Sequence, residues 1–426
     1  MPRIGFAYNQ KPESSAIARP EDETPRGDDE PPSRRRDALA SRNSDAPASS
    51  ERASSATVGG DIAAPTNAGP TDDEFAEWDS AETIDAVAAA LSAFGDVVRL
   101  EADADFPQNL RDSAVDIVFN IAEGLRGANR EAHVPAICEF YGIPYSASDP
   151  FTLSLCLDKA RTKEVLAYHG VPTAAFSVVR GKWEQGTGNG ERLLRAARSA
   201  QPGFPVPSSQ FPASRFPVFV KPVHEGSSKG ITEANYCRNQ DELHTQVEFL
   251  LERYRQPVLI EEYLPGAEFT CAVLGNGDAA RVLPIVGMNF EALPPGALPV
   301  YGFEAKWIWD RPEQPLEIFE CPARIDEELR RTIEHVVLRA YHVLGCRDWS
   351  RIDVRLDAAG KPNVVEVNPL PGILPNPADN SCFPKAARAA GMSYDELIQA
   401  CLVHAAERLG VELDVATHAG AAGVSR

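Results

Sequence analysis

The sequence predicts an α/β fold that turns α+β toward its C-terminal end, and three observations carry that prediction. Strand-like and helix-like stretches alternate over the first 150 residues, which implies a mostly parallel sheet. Two alternating strands form a hairpin between residues 350 and 368, with a last helical stretch behind them. The 426 residues, 43% hydrophobic and 24% charged, have a globular composition and a length that fits two or three domains.

Taken in order, residues 4–8 read as a buried strand. From residue 11 to 70 aromatic residues vanish while Pro, Ser, Ala, Asp and Arg dominate. Such a segment cannot bury enough apolar surface to offset its ordering entropy, so it is expected to be disordered. Its Arg34-Arg35-Arg36 run is flanked by Asp28, Asp29, Glu30 and Asp37, which favours a solvated stretch over a nucleic-acid patch. A helix is expected over residues 81–94 with Ser80 as its N-cap, so the insert interrupts a strand-to-helix connection. Strands at 97–100 and 115–120, a helix at 132–141 and a strand entering at Ile143-Pro144-Tyr145 follow. Ligands of such sheets bind at the carboxyl ends of strands, where residues 120–127 lie.

Residues 152–169 carry a helical pattern that Gly170 and Pro172 stop. The polar passage 186–215 reads as a loop with a short helix at 191–200. Strand-like runs follow at 218–221, 258–262 and 269–274, then a helix at 326–344, the hairpin, and a helix at 394–409. The balance of 62 acidic against 42 basic side chains, a formal charge of −20, argues against a nucleic-acid face. No apolar run reaches the roughly 18 to 20 residues that cross a bilayer, and the N-terminus lacks the apolar core of a signal peptide, so a cytoplasmic location away from membranes is expected. The eight cysteines are scattered without a C-x-x-C pair, which suits reduced thiols.

The hairpin is the most informative chemistry. If the apolar sides of both strands face one core, Asp353 must lie near Glu366 and Arg351 near Asn368. Facing carboxylates repel unless a cation sits between them, and Asp, Glu and Asn oxygens are hard ligands suited to Mg²⁺. A charged face with Arg351 paired to Asp353 fits the segment equally well. A second feature is a strand ending in Lys221 followed by the loop Glu225-Gly226-Ser227-Ser228-Lys229-Gly230, whose N–H groups and hydroxyls suit phosphates although it is not a P-loop. A third is the strand at 258–262 running into acidic residues, either a nucleotide edge or a buried strand with a charged exit.

The order and spacing of Leu157-Asp158-Lys159, Phe219-Val220-Lys221, Leu259-Ile260-Glu261, Glu268-Phe269, Glu304-Ala305-Lys306-Trp307, Arg351-Ile352-Asp353 and Glu366-Val367-Asn368 closely resemble the ATP-grasp ligases of the D-alanine:D-alanine ligase family, from about residue 116 to 409. The resemblance implies a three-domain ATP-grasp fold with a Rossmann-like N-terminal pre-ATP-grasp domain. Its parts are residues 1–150 interrupted by the insert 11–70, a central lid domain 151–263, a C-terminal metal and substrate domain 264–415, and a flexible tail 416–426. It implies an ATP-dependent carboxylate-amine ligase working through an acyl phosphate and a tetrahedral intermediate, with D-alanine as substrate and a place in peptidoglycan synthesis. ATP is the co-substrate, two Mg²⁺ or Mn²⁺ ions the metal, small molecules the partners, and a homodimer is compatible.

By the same resemblance Lys159 and Lys221 hold the α- and β-phosphates, Ser227 and Ser228 close over them, and Glu261 and Leu264 surround the adenine. Glu268 takes the ribose and Lys306 the γ-phosphate end. Asp353, Glu366 and Asn368 hold the metal, Arg351 and the Gly372 N–H hold the oxyanion, and Ser381 contacts the acceptor carboxylate. Two departures touch the first-substrate pocket. The Gly-Gly-x-Ser-x-Glu-Arg-Glu motif expected after the first strand is replaced by Phe6-Ala7-Tyr8-Asn9-Gln10 and the insert, and the His-Gly turn by Ala122-Glu123-Gly124. Trp307 also stands where a tyrosine commonly completes a serine-tyrosine-glutamate bridge. Glu123, with Glu131 as another candidate, is expected to replace the missing carboxylate, or else to cap the turn or pair with Arg126 or Arg130. A ligase of another amino acid or dipeptide, and a non-catalytic ATP-binding module, are the competing functions.

Overall fold

The computed structural model describes residues 2–12, 75, 77–181, 216–226, 228–302 and 316–413. The expected disorder beyond residue 12, the loop and helix within 186–215, Ser227, Lys306, Trp307 and the tail 416–426 lie outside the described residues.

Strand β1 (Arg3–Tyr8) is buried from Ile4 onward. The chain re-enters at residues 77–79 beside it: Asp79 bridges Gln10, its N–H donates to the Asn9 carbonyl at 2.9 Å, and the Lys11 N–H donates to its carbonyl at 2.8 Å. Helix α1 (Ala81–Leu91) begins there because the Ser80 hydroxyl accepts from the Thr83 N–H at 3.2 Å, a cap worth about 1 kcal/mol. Its stripe of Ile84, Val87 and Leu91 is buried. Strand β2 (Asp96–Glu101), helix α2 (Phe106–Ser113), strand β3 (Ile117–Asn120) and helix α3 (His133–Tyr141) complete this part. The sheet is parallel in the order β2-β1-β3.

The strand expected at Ile143-Pro144-Tyr145 is reduced to a single bridge between Tyr145 and Val118. Pro144 has no N–H, so the segment lends only its carbonyl to the Val118 N–H and the following Ser146 N–H to the Val118 carbonyl, both at 2.8 Å.

The helical pattern over 152–169 divides into α4 (Pro150–Leu157) and α5 (Lys159–Tyr168). Asp158 takes an extended conformation between them and its carboxylate accepts from the Ala160 and Arg161 N–H groups at 3.0 and 2.9 Å. Aspartate favours this capping position over a helix interior because its short side chain competes for backbone donors. Strands β4 (Phe176–Val179), β5 (Val218–Pro222) and β6 (Tyr236–Cys237), helix α6 (Gln240–Tyr254) and strand β7 (Val258–Glu262) follow. Their antiparallel sheet runs β4-β7-β5-β6, with Leu243, Val247 and Leu250 of α6 packed against Val218, Val220, Val258 and Ile260.

The third sheet, ordered β11-β10-β8-β12-β13, is built from β8 (Glu268–Leu274), β9 (Arg281–Val282), which pairs with β8, β10 (Val286–Met288), β11 (Phe319–Glu320), β12 (Trp349–Leu356) and β13 (Pro362–Asn368). Helix α7 (Glu327–Leu344) buries Ile333, Val336, Val337, Ala340, Tyr341 and Leu344 along one stripe. Helices α8 (Cys382–Ala389) and α9 (Tyr394–Leu409) close the chain. In the hairpin the register pairs Asp353 with Glu366 and Arg351 with Asn368, the pairing that the apolar faces require. A bulge between Asp353 and Val354 breaks the expected alternation on β13: Val364 and Val367 enter the core, while Val365 turns to line a cavity. Phe119 of the first sheet stacks on Trp349 of the third with ring centroids 5.2 Å apart. Among the described residues no helix is long and apolar enough to cross a membrane.

Candidate active site

A cavity opens between the second and third sheets. Lys159, Lys221, Ser228, Glu261, Leu264, Glu268 and Glu366, seven of the residues singled out from the sequence, line it together with Glu225, Lys229, Glu262, Tyr263, Tyr301 and Arg355. Each owes its place to a local feature. The break at Asp158 sets Lys159 on the first turn of α5, where its ammonium pairs with Glu366 at 2.6 Å and donates to the Glu225 carbonyl. Antiparallel pairing of β5 with β7 brings Lys221 to Glu261 at 2.7 Å.

Glu261 holds a second ammonium that the sequence did not single out for a role. Lys163, on the turn of α5 after Lys159, reaches its other oxygen at 2.9 Å and donates to the Thr173 hydroxyl at 2.8 Å. All three side chains are buried. Burial alone would push the Glu261 carboxyl up, but the two lysines outweigh it and hold it at about 2. Burial likewise pulls Lys221 down, yet Glu261 and Glu366 reverse the sign and keep it charged. Glu261 therefore ends on lysines, and its backbone is already paired, since β7 lies between β4 and β5.

The third sheet supplies the adjoining wall. Asp353 accepts from the Thr270 hydroxyl at 2.9 Å, from Asn368 Nδ2 at 3.3 Å and from Arg351 at 3.1 and 3.2 Å. The two carboxylates of the hairpin are thus separated by protein cations, Arg351 on one and Lys159 on the other, which corrects the expectation that a bound cation alone makes their facing tolerable. Burial raises the Glu366 carboxyl less than Lys159 and Lys221 lower it, so it remains ionised. Farther along, the Ser381 hydroxyl accepts from the Leu374 N–H at 3.2 Å and donates to the Gly372 carbonyl at 3.1 Å. Gly372 is exposed, and a Cβ there would meet nothing within 4 Å.

The loop after β5 is fastened to the N-terminal part by a residue the sequence reading overlooked. Glu77 accepts from Arg130 at 2.9 Å on both oxygens, from the Gly226 N–H at 3.0 Å and from the Lys229 ammonium at 3.1 Å. A Cβ on Gly226 would stand 2.5 Å from the Glu77 carboxylate, so only glycine admits this approach. Arg130 also donates to the His224 carbonyl at 3.0 Å, and the Ser228 hydroxyl to the Tyr301 carbonyl at 3.1 Å. Burial would raise the Glu77 carboxyl, but Arg130 and Lys229 hold it below its ordinary value. The sequence signal for Glu77 was its place three residues before the Ser80 N-cap. Counting forward from β1 met the insert first.

Glu123 and Glu131 stand in the same region without such partners. Arg130 is taken by Glu77, and no hydrogen bond or ion pair of either side chain is found among the described residues, so Glu123 neither caps its turn nor pairs with Arg126 or Arg130. The Gly124 N–H is instead capped by Asn9 Oδ1 at 2.7 Å. Burial and then neighbouring carboxylates drive the Glu123 carboxyl well above its ordinary value. Burial, only partly offset by Arg130, pushes Glu131 up to about 7.

Charge decides what such a cavity requires. Of the described residues lining it, Lys159, Lys221, Lys229 and Arg355 are basic, while Glu225, Glu261, Glu262, Glu268 and Glu366 are acidic. Lys163 behind Glu261 offsets the one acid in excess, so the cavity is close to neutral and a polyphosphate would enter with its own charge unmatched.

Comparison with known proteins bears on the same residues. A family model described as the D-ala D-ala ligase C-terminus matches residues 199–403. An uncharacterised protein, y4sG, of Sinorhizobium fredii is 33% identical over 76% of this chain and 88% of its own length. A D-alanine–D-alanine ligase of Bordetella petrii is 33% identical over 70% of this chain and 80% of its own. In structure, a D-alanine–D-alanine ligase of Bacillus anthracis complexed with ATP superposes with a TM-score of 0.58 at 19% identity, over 96% of this chain and 98% of its own, a likeness of fold.

Proposed function

The chain belongs to the D-alanine–D-alanine ligase family and has its ATP-grasp fold, and on that premise we propose that it is an ATP-dependent ligase joining a carboxylate to an amine, with D-alanine as the first substrate to test. The convergence of Lys159, Lys221, Ser228, Glu261, Leu264, Glu268 and Glu366 on one cavity, beside the hairpin face of Arg351, Asp353 and Asn368, carries this reading. On the family premise the proposal extends to a three-part division at residues 150 and 263, a place in peptidoglycan precursor synthesis, and work in the cytoplasm.

ATP lies with its base at the exit of β7 near Leu264, its ribose at Glu268 and its phosphates toward Lys159, Lys221 and Ser228. Ser227 and Lys306 join the phosphate end by the family resemblance. Asp353, Glu366 and Asn368 offer oxygen ligands, the set that suits Mg²⁺ or Mn²⁺, and a cavity close to neutral leaves a polyphosphate in need of added positive charge. When bound, the metal ions neutralise the phosphates and hold them for in-line displacement.

The remaining work falls to the chain's own groups. The donor carboxylate attacks the γ-phosphorus and ADP leaves. The acceptor amine then adds to the acyl phosphate, and phosphate departs as the tetrahedral centre collapses. Lys159 and Lys221 oppose phosphate charge, while Arg351 and the Gly372 N–H oppose the developing oxyanion. Ser381 contacts the acceptor carboxylate.

One observation favours a donor other than D-alanine. Glu77 is spent on Arg130, Lys229 and Gly226, leaving Glu123 and Glu131 to meet the donor's amine. The deciding experiment measures ADP and phosphate release from ATP with Mg²⁺ against D- and L-amino acids singly and in pairs. Release that requires D-alanine supports the first reading. Release that requires another amino acid replaces D-alanine and keeps the ligase. ATP binding without ADP release for any carboxylate overturns the ligase in favour of a binding module.

A further inference from the structure

Strand β12 is a ruler along the cavity. Arg351, Asp353 and Arg355 share one face, and four residues of strand span about 13 Å. Arg351 stands at the phosphate end of the proposed nucleotide, Asp353 at the metal, and Arg355 at the far end, where antiparallel pairing sets it directly across from Glu268. Family resemblance assigned Arg355 no role, and it is the one arginine among the described residues lining the cavity.

Its guanidinium is held on every side. One terminal nitrogen donates to Glu268 Oε2 at 2.8 Å, and the other donates to the Tyr263 hydroxyl and the Pro299 carbonyl, both at 3.0 Å. The rings of Tyr263 and Phe290 lie 5.0 and 5.5 Å from its central carbon. Its Nε is buried and finds no hydrogen-bond partner among the described residues. A planar fork pinned by two rings, a hydroxyl and a carbonyl has no freedom to swing, so it dictates where the carboxylate it grips must point. Only Oε2 is taken. No other hydrogen bond of the Glu268 carboxylate is found among the described residues, so Oε1 keeps its lone pairs for a ligand.

We infer that Arg355 is a positioning residue that aims the Glu268 carboxylate at the sugar hydroxyls of the nucleotide and thereby makes this enzyme distinguish ribose from deoxyribose. The inference rests on the proposed reading of the cavity as the ATP site. The plainer alternative is that Arg355 only neutralises two neighbouring buried carboxylates, Glu268 and Asp353. The two differ in one respect: loss of neutralisation weakens every nucleotide alike, whereas loss of aim weakens only a sugar that carries the hydroxyl being read.

The test compares ATP with 2′-deoxy-ATP as co-substrates of the full-length enzyme, in Arg355→Met and Arg355→Lys variants beside the native protein. The native protein is expected to prefer ATP. In Arg355→Met the KM for ATP should rise about tenfold, the loss typical of one hydrogen bond to a charged group, with the KM for 2′-deoxy-ATP moving less than about twofold and kcat little changed. Arg355→Lys keeps the charge without the fork and should lose most of the preference too. Because each variant is compared with itself on two nucleotides, partial unfolding cancels from the ratio, and Arg355→Lys serves if Arg355→Met does not fold. Equal weakening of both nucleotides, or a preference retained by Arg355→Lys, overturns the inference. A native enzyme that does not distinguish the two nucleotides overturns the ribose reading of Glu268 on which it rests.

Discussion

The nucleotide half and the first-substrate half of the site are built on opposite electrostatic terms. Around Glu261, two ammonium groups share one carboxylate, and on the hairpin each acid has a cation within 3.1 Å. Around Arg130, Glu77 holds the guanidinium at 2.9 Å and Glu225 stands 3.9 Å from it, while Glu123 and Glu131 make no ion pair among the described residues. In the first half, lysines hold the Glu261 and Glu366 carboxyls below their ordinary values before any ligand arrives. The second holds two acids, Glu123 and Glu131, whose carboxyls burial raises and which a positive group would favour in the ionised form. Chemistry on phosphates needs fixed charge, whereas recognition of an amine is served by carboxylates that no protein cation has already satisfied.

The largest effect should come from breaking the charged half. Arg351→Met should lower kcat for amino-acid-dependent ADP release by about 10²- to 10³-fold, because its guanidinium meets charge that develops only in the transition state. ATP binding measured without amino acid should change far less. A proportional loss of ATP affinity would move Arg351 from the oxyanion to the ground state.

Next comes the latch between the halves. Glu77→Gln should raise the KM for ATP about tenfold, with faster amide hydrogen exchange across residues 224–230, since Gly226 and Lys229 lose their charged acceptor. Exchange that stays as slow as in the native protein would show the loop to be closed by other contacts.

Glu123→Gln should raise the KM for the native donor amino acid about three- to tenfold while leaving the KM for ATP alone. Unchanged turnover would remove Glu123 from any substrate role. The smallest effect is in stability. Burial, opposed only by Lys11, pushes the Asp79 carboxyl up to about 7, well above its ordinary value of about 4. The native state therefore binds a proton the unfolded chain releases, so Asp79 contributes stability fully below about pH 4, and that contribution is lost as pH rises toward 7. Asp79→Asn should flatten the slope of unfolding free energy across this window by up to about 1.4 kcal/mol per pH unit.

Legibility followed the same divide. The hairpin could be read because alternation on two adjacent strands is local information, and a core on one side leaves one register. Helices α7 and α9 were legible from caps and apolar stripes, and α6 carried the same signals in Asn239, Asp241, Glu242 and the Leu243-Val247-Leu250 stripe without being read. The bulge that turns Val365 toward the cavity had no local mark, since valine suits either face of a sheet.

By itself the sequence determined the class of the fold, the carboxylate pairing of the hairpin, and the set of lysines and acids that a nucleotide would need. The first two follow from periodicity and short-range spacing, the third from the resemblance to the ATP-grasp ligases. Only the tertiary structure decided which cation each acid holds. Glu261 ends on Lys163 as well as Lys221, Arg130 on Glu77, 53 residues away in the chain, and Arg355 on Glu268, 87 away. An ion pair forms between whichever opposite charges packing leaves together in a low dielectric, and separation along the chain says nothing about that distance.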